Sequence, residues 1–338
     1  MPPLFRAGRI PRRCFASFSD SDPVSLAYDL HRAPSSGSTR QGQGPLVILH
    51  GLYGSKQNWR SLSKALAQAT GRNVYALDLR NHGTSPHSEG STYRDYAKDV
   101  SRFFETEKLS EVVLMGHSMG GKVAMSQALL EPDSLARLIS VDMSPAKGKI
   151  SPDFVKYIEG MREVQKTGVK SKKEADVILQ KFEESLAIRQ FLLTNFVQSA
   201  RDTPFSFRLP LDILQRSIDD IGDFPYDPDD GVSFDKPTLF IKGGESKYIN
   251  RKNVTVAEKL FPNRNRSLSI PYTSALEMSE NGLGRPKPNI QANVEAAVNL
   301  RYSAPSLCQY LDGSRGLPST SVFYPSRPGI CPLKEPFG

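Results

Sequence analysis

Glu111-Val112-Val113-Leu114-Met115-Gly116-His117-Ser118-Met119-Gly120-Gly121-Lys122 is the stretch that decides the architecture. A short apolar run suits a strand buried on both faces, and the segment 120–130, rich in small residues, suits a helix. Between them lies G-x-S-x-G, a tight strand-to-helix turn in which side chains at Gly116 or Gly120 would crowd the serine. A hydroxyl is a poor nucleophile unless it is exposed and a base takes its proton, and this turn provides the exposure, so Ser118 is the candidate catalytic serine. The same residues spell G-x-x-x-x-G-K, a phosphate cradle. That motif needs Ser or Thr at the next position to hold magnesium, and Val123 stands there, which argues against a nucleotide site.

Working outward, 45–49 is another apolar strand run, and 57–69 spaces Trp59, Leu62, Leu66 and Ala69 at helical intervals. Strand runs at 74–79 and 138–142 and a helix over 93–107 continue the alternation. The pattern predicts an α/β fold with a mostly parallel sheet and helices on both faces. From 146 to 230 it turns purely helical, with a long amphipathic run over 175–197 and no strand, which predicts an inserted helical cap. The sheet resumes at 236–241, followed by a helix over 254–260 and a last strand over 266–270. The expected organisation is a core of 20–145 and 231–272 interrupted by the cap at 146–230. Beyond Tyr272 the composition changes: 289–300 fits one helix, and 303–338, rich in Pro, Ser and Gly, is expected to be disordered, making 273–338 a divergent tail.

Of the 338 residues, 38% are hydrophobic and 24% charged, enough for a buried core, and no apolar run reaches the ~18 residues of a membrane span. The formal charge of +8 overstates the basic character, because Arg6, Arg9, Arg12 and Arg13 precede the first acidic residue, Asp20, and the other 40 basic residues face 36 acidic ones. The Lys170, Lys172 and Lys173 cluster reads as a solvated helix face, so no nucleic-acid partner is expected. Residues 1–19, Arg-rich and free of acids, have the composition of a mitochondrial transit peptide with a cut between Phe15 and Ala16, which predicts a mitochondrial, matrix location. Cys14, Cys308 and Cys331 form neither a disulfide framework nor a metal-binding spacing, and no metal or organic cofactor is implied.

His50-Gly51-Leu52 follows the first core strand, where one wall of an oxyanion hole belongs. The backbone N–H groups of Leu52 and Met119 are the candidate donors to a developing oxyanion. His50, His82 and His87 read as turn and loop histidines.

Five separated segments carry a family resemblance: Leu49-His50-Gly51-Leu52-Tyr53-Gly54-Ser55, residues 78–88, Gly116-His117-Ser118-Met119-Gly120-Gly121-Lys122, Val141-Asp142-Met143-Ser144-Pro145 and Arg189-Gln190-Phe191-Leu192-Leu193-Thr194-Asn195. Together they resemble the mitochondrial α/β-hydrolase-domain-containing protein 11 group, whose relatives include small bacterial esterases and fungal ethanol acetyltransferases. The resemblance covers about 45–272. It implies the α/β-hydrolase fold and a serine hydrolase that cleaves, or transfers acyl groups from, small esters or thioesters. It also implies Asp142 as the triad acid, since Ser246 stands where most α/β-hydrolases carry theirs. Asp212 is a weaker alternative within the cap.

The resemblance fails at the base. The family carries its histidine in a Gly-His-Trp type loop after the last strand, where this chain reads Pro271-Tyr272-Thr273-Ser274-Ala275-Leu276-Glu277, and the last histidine of the chain is His117. No catalytic histidine is found. Three accounts fit: a mistranslated C-terminus through a retained intron or shifted frame, a genuine pseudoenzyme acting as a mitochondrial binding or scaffold protein, or substitution by a histidine such as His50. The abrupt change after Tyr272 favours the first.

Overall fold

The computed structural model describes residues 21–34, 43–198, 203–243 and 246–270, together with Leu311. The core strands are β1 (Tyr28–His31), β2 (Leu46–Leu49), β3 (Val74–Leu77), β4 (Val112–His117), β5 (Leu135–Val141), β8 (Thr238–Gly243) and β9 (Arg264–Ile270). They form one sheet in the order β1-β3-β2-β4-β5-β8-β9. All neighbours pair in parallel except β1, which runs antiparallel along β3. Only β1 was not expected from the sequence; its four half-buried residues, Tyr-Asp-Leu-His, carry too weak an alternation to read as a strand.

The pleat sends alternate residues to two cores. Leu46 and Ile48 of β2 pack with Trp59, Leu62 and Leu66 of α1 (Lys56–Thr70), while Val47 and Leu49 join Val100 and Phe103 of α2 (Tyr93–Thr106) and Val123 of α3 (Met119–Leu130). Both faces are therefore apolar, which is why β2, β3 and β4 read as continuous runs rather than as alternating ones. The sequence places α2 well because Thr92 and Asp95 cap its first turn reciprocally.

Between β5 and β8 lie α4 (Pro152–Thr167), α5 (Lys172–Leu179), α6 (Leu186–Leu193), β6 (Phe196–Gln198), β7 (Phe205–Phe207), α7 (Leu211–Arg216) and α8 (Ile218–Gly222). The expectation of a purely helical cap is corrected here. The run 175–197 divides into α5, α6 and the strand β6, which pairs antiparallel with β7. Three-residue strands are too short to display a period of two. What holds them is aromatic packing, with the Phe196 ring 5.2 Å from Phe205 and 4.9 Å from Phe207.

The expected transit peptide, the expected helix over 289–300 and most of the tail lie outside the described residues. Leu311 is fully buried in the core on the α1 side, and its carbonyl accepts from an Arg72 NH2 group at 2.8 Å.

One buried ion pair anchors α2. Arg80 donates from Nε to Asp99 Oδ2 at 2.6 Å and from an NH2 group to Asp99 Oδ1 at 2.7 Å, with both side chains fully buried. Its remaining NH2 group reaches Ser21 Oγ and the Gly90 carbonyl. Arg80→Met would strand a buried carboxylate and is expected to lower the unfolding free energy by about 3–5 kcal/mol, read as a shift of the urea midpoint. Adding Asp99→Leu should recover most of that loss. An unchanged midpoint in the single variant would contradict this account.

Candidate active site

The strand order reverses at β2 and β4: the chain leaves β2 towards β3 on one side, and leaves β4 towards β5 on the other. In an open α/β sheet, a crevice forms outside the carboxyl ends of strands at such a point. The two segments that end there are His50-Gly51-Leu52, after β2, and Ser118, after β4. Ser118 has φ 53° and ψ −119°, a backbone conformation costly for a residue with a Cβ, and its N–H donates to the Val141 carbonyl at 3.0 Å. The glycines around it permit the turn. A Cβ on Gly116 would come within 2.0 Å of the Gly120 carbonyl oxygen, and one on Gly120 within 2.5 Å of the His50 oxygen.

Ser118 lines a cavity of about 210 Å³ together with Leu52 and Met119, the two expected oxyanion donors. Met119 is the first residue of α3, so its N–H has no acceptor within the helix. Of the six non-glycine residues with positive φ among the described residues, Tyr53, Ser118 and Asp142 belong to this one neighbourhood. Strain of this kind concentrates where function over-determines the backbone.

Asp142 follows β5 at φ 56°, fully buried, with its N–H donating to the Ile241 carbonyl at 2.7 Å. The hydrogen bond from Ser118 N–H to the Val141 carbonyl brings the strand end that carries Asp142 directly beside Ser118. Tyr248 lines the cavity next to Asp142; burial, and after it the Asp142 charge, push its phenol pKa up. The loops carrying these two residues are tied by Ser144 Oγ, which donates to the Tyr248 carbonyl at 2.7 Å. Asp212 is not brought to the site. Its exposed carboxylate pairs with Arg162 on the cap. Ser246 Oγ accepts from the Tyr248 N–H at 3.2 Å, a turn-forming role.

All five histidines are described, and their positions can be tested against the role of a base. A backbone N–H can only donate, so the Leu79 N–H at 3.0 Å fixes His50 Nε2 as an acceptor and leaves Nδ1–H to donate to the Gly51 carbonyl at 2.8 Å. His82 repeats the pattern: Nε2 accepts from Tyr53 N–H at 3.1 Å, and Nδ1–H donates to the Arg80 carbonyl at 2.9 Å. Burial lowers both pKa values, that of His82 to about 3 with help from the neighbouring His50. Neither ring has a lone pair left for a serine proton, which removes His50 as a substitute base. His117 packs its ring 6.0 Å from Trp59 on the α1 side of the sheet. His31 pairs with Val74, at the opposite end of the sheet from Ser118, and exposed His87 meets the Arg208 carbonyl of the cap.

The loop after β2 is tied to the cap through Tyr53. Asn195 Nδ2 donates to the Tyr53 carbonyl at 2.8 Å, and Tyr53 Oη donates to the Phe154 carbonyl at 2.9 Å. The Arg189–Asn195 segment thus has an internal end and a site-facing end: buried Arg189 pairs with Asp176 inside the cap, while Asn195 reaches the loop after β2. Lys122, one helical turn after Ser118, lines the cavity and donates from Nζ to the Gly222 and Asp223 carbonyls at 2.6 and 2.8 Å. Burial lowers its pKa to about 8. The roles of Asn195 and Lys122 were not read from the sequence, although both lie in motifs that stood out there. Tyr248 lies in none.

Residues 44–271 match the alpha/beta hydrolase fold family, and the chain belongs to it. Among curated proteins it is 40% identical over 71% of its length to the sn-1-specific diacylglycerol lipase ABHD11 of Xenopus tropicalis, covering 73% of that protein, and 39% identical over 76% of its length to the Mus musculus protein of that name, covering 88%. A probable alcohol acetyltransferase of Saccharomyces cerevisiae is 33% identical over 71% of this chain and 75% of its own. Among solved structures, a marine microorganism esterase superposes with a TM-score of 0.65 at 31% identity, covering 73% of this chain and 91% of that one. No helix among the described residues is long and apolar enough to cross a membrane.

Proposed function

We propose that this chain has the site of a serine hydrolase that cleaves, or transfers acyl groups from, small carboxylic esters or thioesters. The observation that carries it is the strained Ser118 at the carboxyl end of β4, opening into a cavity with Leu52 and Met119 and flanked by Asp142. Ser118 Oγ forms a bond to the acyl carbon while the carbonyl oxygen takes up negative charge between the Leu52 and Met119 amides. Collapse of that intermediate expels the alcohol or thiol, which needs a proton, and water or an alcohol then releases the acyl group. Relatives named as lipase, acetyltransferase and esterase support an ester as the substrate.

The proton shuttle is the missing part. A histidine supported by Asp142 would carry the Ser118 proton to the leaving group, and none of the five histidines present is available to do so. The chain as written therefore turns over esters only weakly. That same observation favours a second reading, a non-catalytic binding protein that keeps the fold and its pocket. The basic, acid-free residues 1–19 support a mitochondrial destination for either.

In a version carrying a histidine loop after β9, a fluorophosphonate probe is expected to label Ser118 alone, with labelling abolished by Ser118→Ala. Labelling that persists in that variant would remove Ser118 from the role.

A further inference from the structure

Among the described residues, the cavity over Ser118 is lined by four lysines and by no aspartate or glutamate. Lys122 is committed to the two cap carbonyls. Lys147, Lys149 and Lys247 are exposed, and among the described residues their ammonium groups make no ion pair or side-chain hydrogen bond. They come from two different segments: Lys147 and Lys149 from the loop after Asp142, and Lys247 from the loop that leads into α9 (Arg251–Leu260). Asp219, Asp220 and Asp223 lie on the segment whose Gly222 carbonyl accepts from the Gly148 N–H at 3.2 Å, and among the described residues no carboxylate pairs with the three lysines. Asp142 is buried beside Ser118, and Asp153 accepts from Ser151 Oγ and pairs with Lys156 at 3.7 Å.

The lining is thus layered by burial. Ser118, Leu52 and Met119 are buried, Phe154 and Ile221 form a buried apolar wall, and the three lysines are exposed at the mouth. Three like charges around one opening repel each other, and an anion seated among them relieves that repulsion while the local field draws it in. We propose that the pocket takes an ester or thioester whose non-reacting end carries an anionic group, a phosphate or a carboxylate, held by Lys147, Lys149 and Lys247. The proposal rests on Ser118 marking the reacting end.

The test uses the full chain and three ligands with one tail length: n-hexyl phosphate, heptanoate and hexan-1-ol, measured by calorimetry at neutral pH. At least one anion is expected to bind about tenfold or more tightly than the alcohol. The stronger anion assigns phosphate or carboxylate. The preference should shrink in about 0.5 M salt and fall below about threefold in the Lys147→Gln, Lys149→Gln, Lys247→Gln triple variant, while the corresponding triple Arg variant retains it. Equal binding of the alcohol, a preference that survives the Gln variant, or no binding by any of the three overturns the proposal. Ser118→Ala should leave the anion preference intact while abolishing probe labelling in the histidine-bearing chain, so the anion site and the nucleophile fail separately.

Discussion

Replacing the segment after Tyr272 with a Gly-His-Trp type loop followed by a helix is expected to raise ester turnover by about 10³-fold or more over the chain as written, measured with p-nitrophenyl acetate. The size follows from what remains without a base. An oxyanion hole and a binding pocket alone give about 10³–10⁴ over water, whereas a serine whose proton is taken by a positioned imidazole gains the rest of the triad's effect. Here the remaining parts stand ready: Ser118 is held at φ 53° on its elbow, and the loop after β2 is fixed by Tyr53, His82 and Asn195. The family match ends at residue 271, at the same place where the composition changes, so the graft replaces a segment outside that match. A restored chain that folds but is neither labelled nor active would show that the site is defective beyond its histidine. Brisk hydrolysis by the unmodified chain, lost in Ser118→Ala, would require another base. His50 would not be that base, because both its ring nitrogens are engaged.

Most of the core was legible because its strands are buried on both faces. Leu46-Val47-Ile48-Leu49 and Val112-Val113-Leu114-Met115 feed two cores, so their continuous apolar character is itself the signal. β1 and the β6–β7 pair were not legible. The former is a half-buried edge, and the latter is set by three phenylalanine rings meeting across sequence positions that no local period connects. At the site, the serine and the loop after β2 carry short-range backbone requirements, tight turns and close approaches, that leave glycine signatures. The contacts that hold them do not. Asn195 reaches Tyr53 from 142 residues away and Lys122 reaches Gly222 from 100, and such pairings follow from topology rather than from any local pattern.

Asp142→Asn, placed in the histidine-bearing version, is expected to lower turnover by about 10⁴ while leaving the protein folded. A carboxylate can only accept, so it would hold the imidazole with Nδ1 protonated and Nε2 free to take the Ser118 proton. An asparagine amide can instead donate to Nδ1, which leaves the proton on Nε2 and no lone pair towards the serine. His50 and His82 illustrate the same rule within this molecule, each held in one tautomer by a donor that cannot be reversed. Because Asn matches Asp in shape, the buried turn after β5, with its N–H bonded to Ile241, should persist, and the urea midpoint should move far less than the rate. Asp212→Asn is expected to leave turnover within about twofold, since its carboxylate is exposed and its pairing with Arg162 is a surface contact worth about 1 kcal/mol or less. Rate constants for the two variants, measured beside their unfolding midpoints, separate the assignments: a large loss in Asp212→Asn with Asp142→Asn near wild type would transfer the acid's role to the cap.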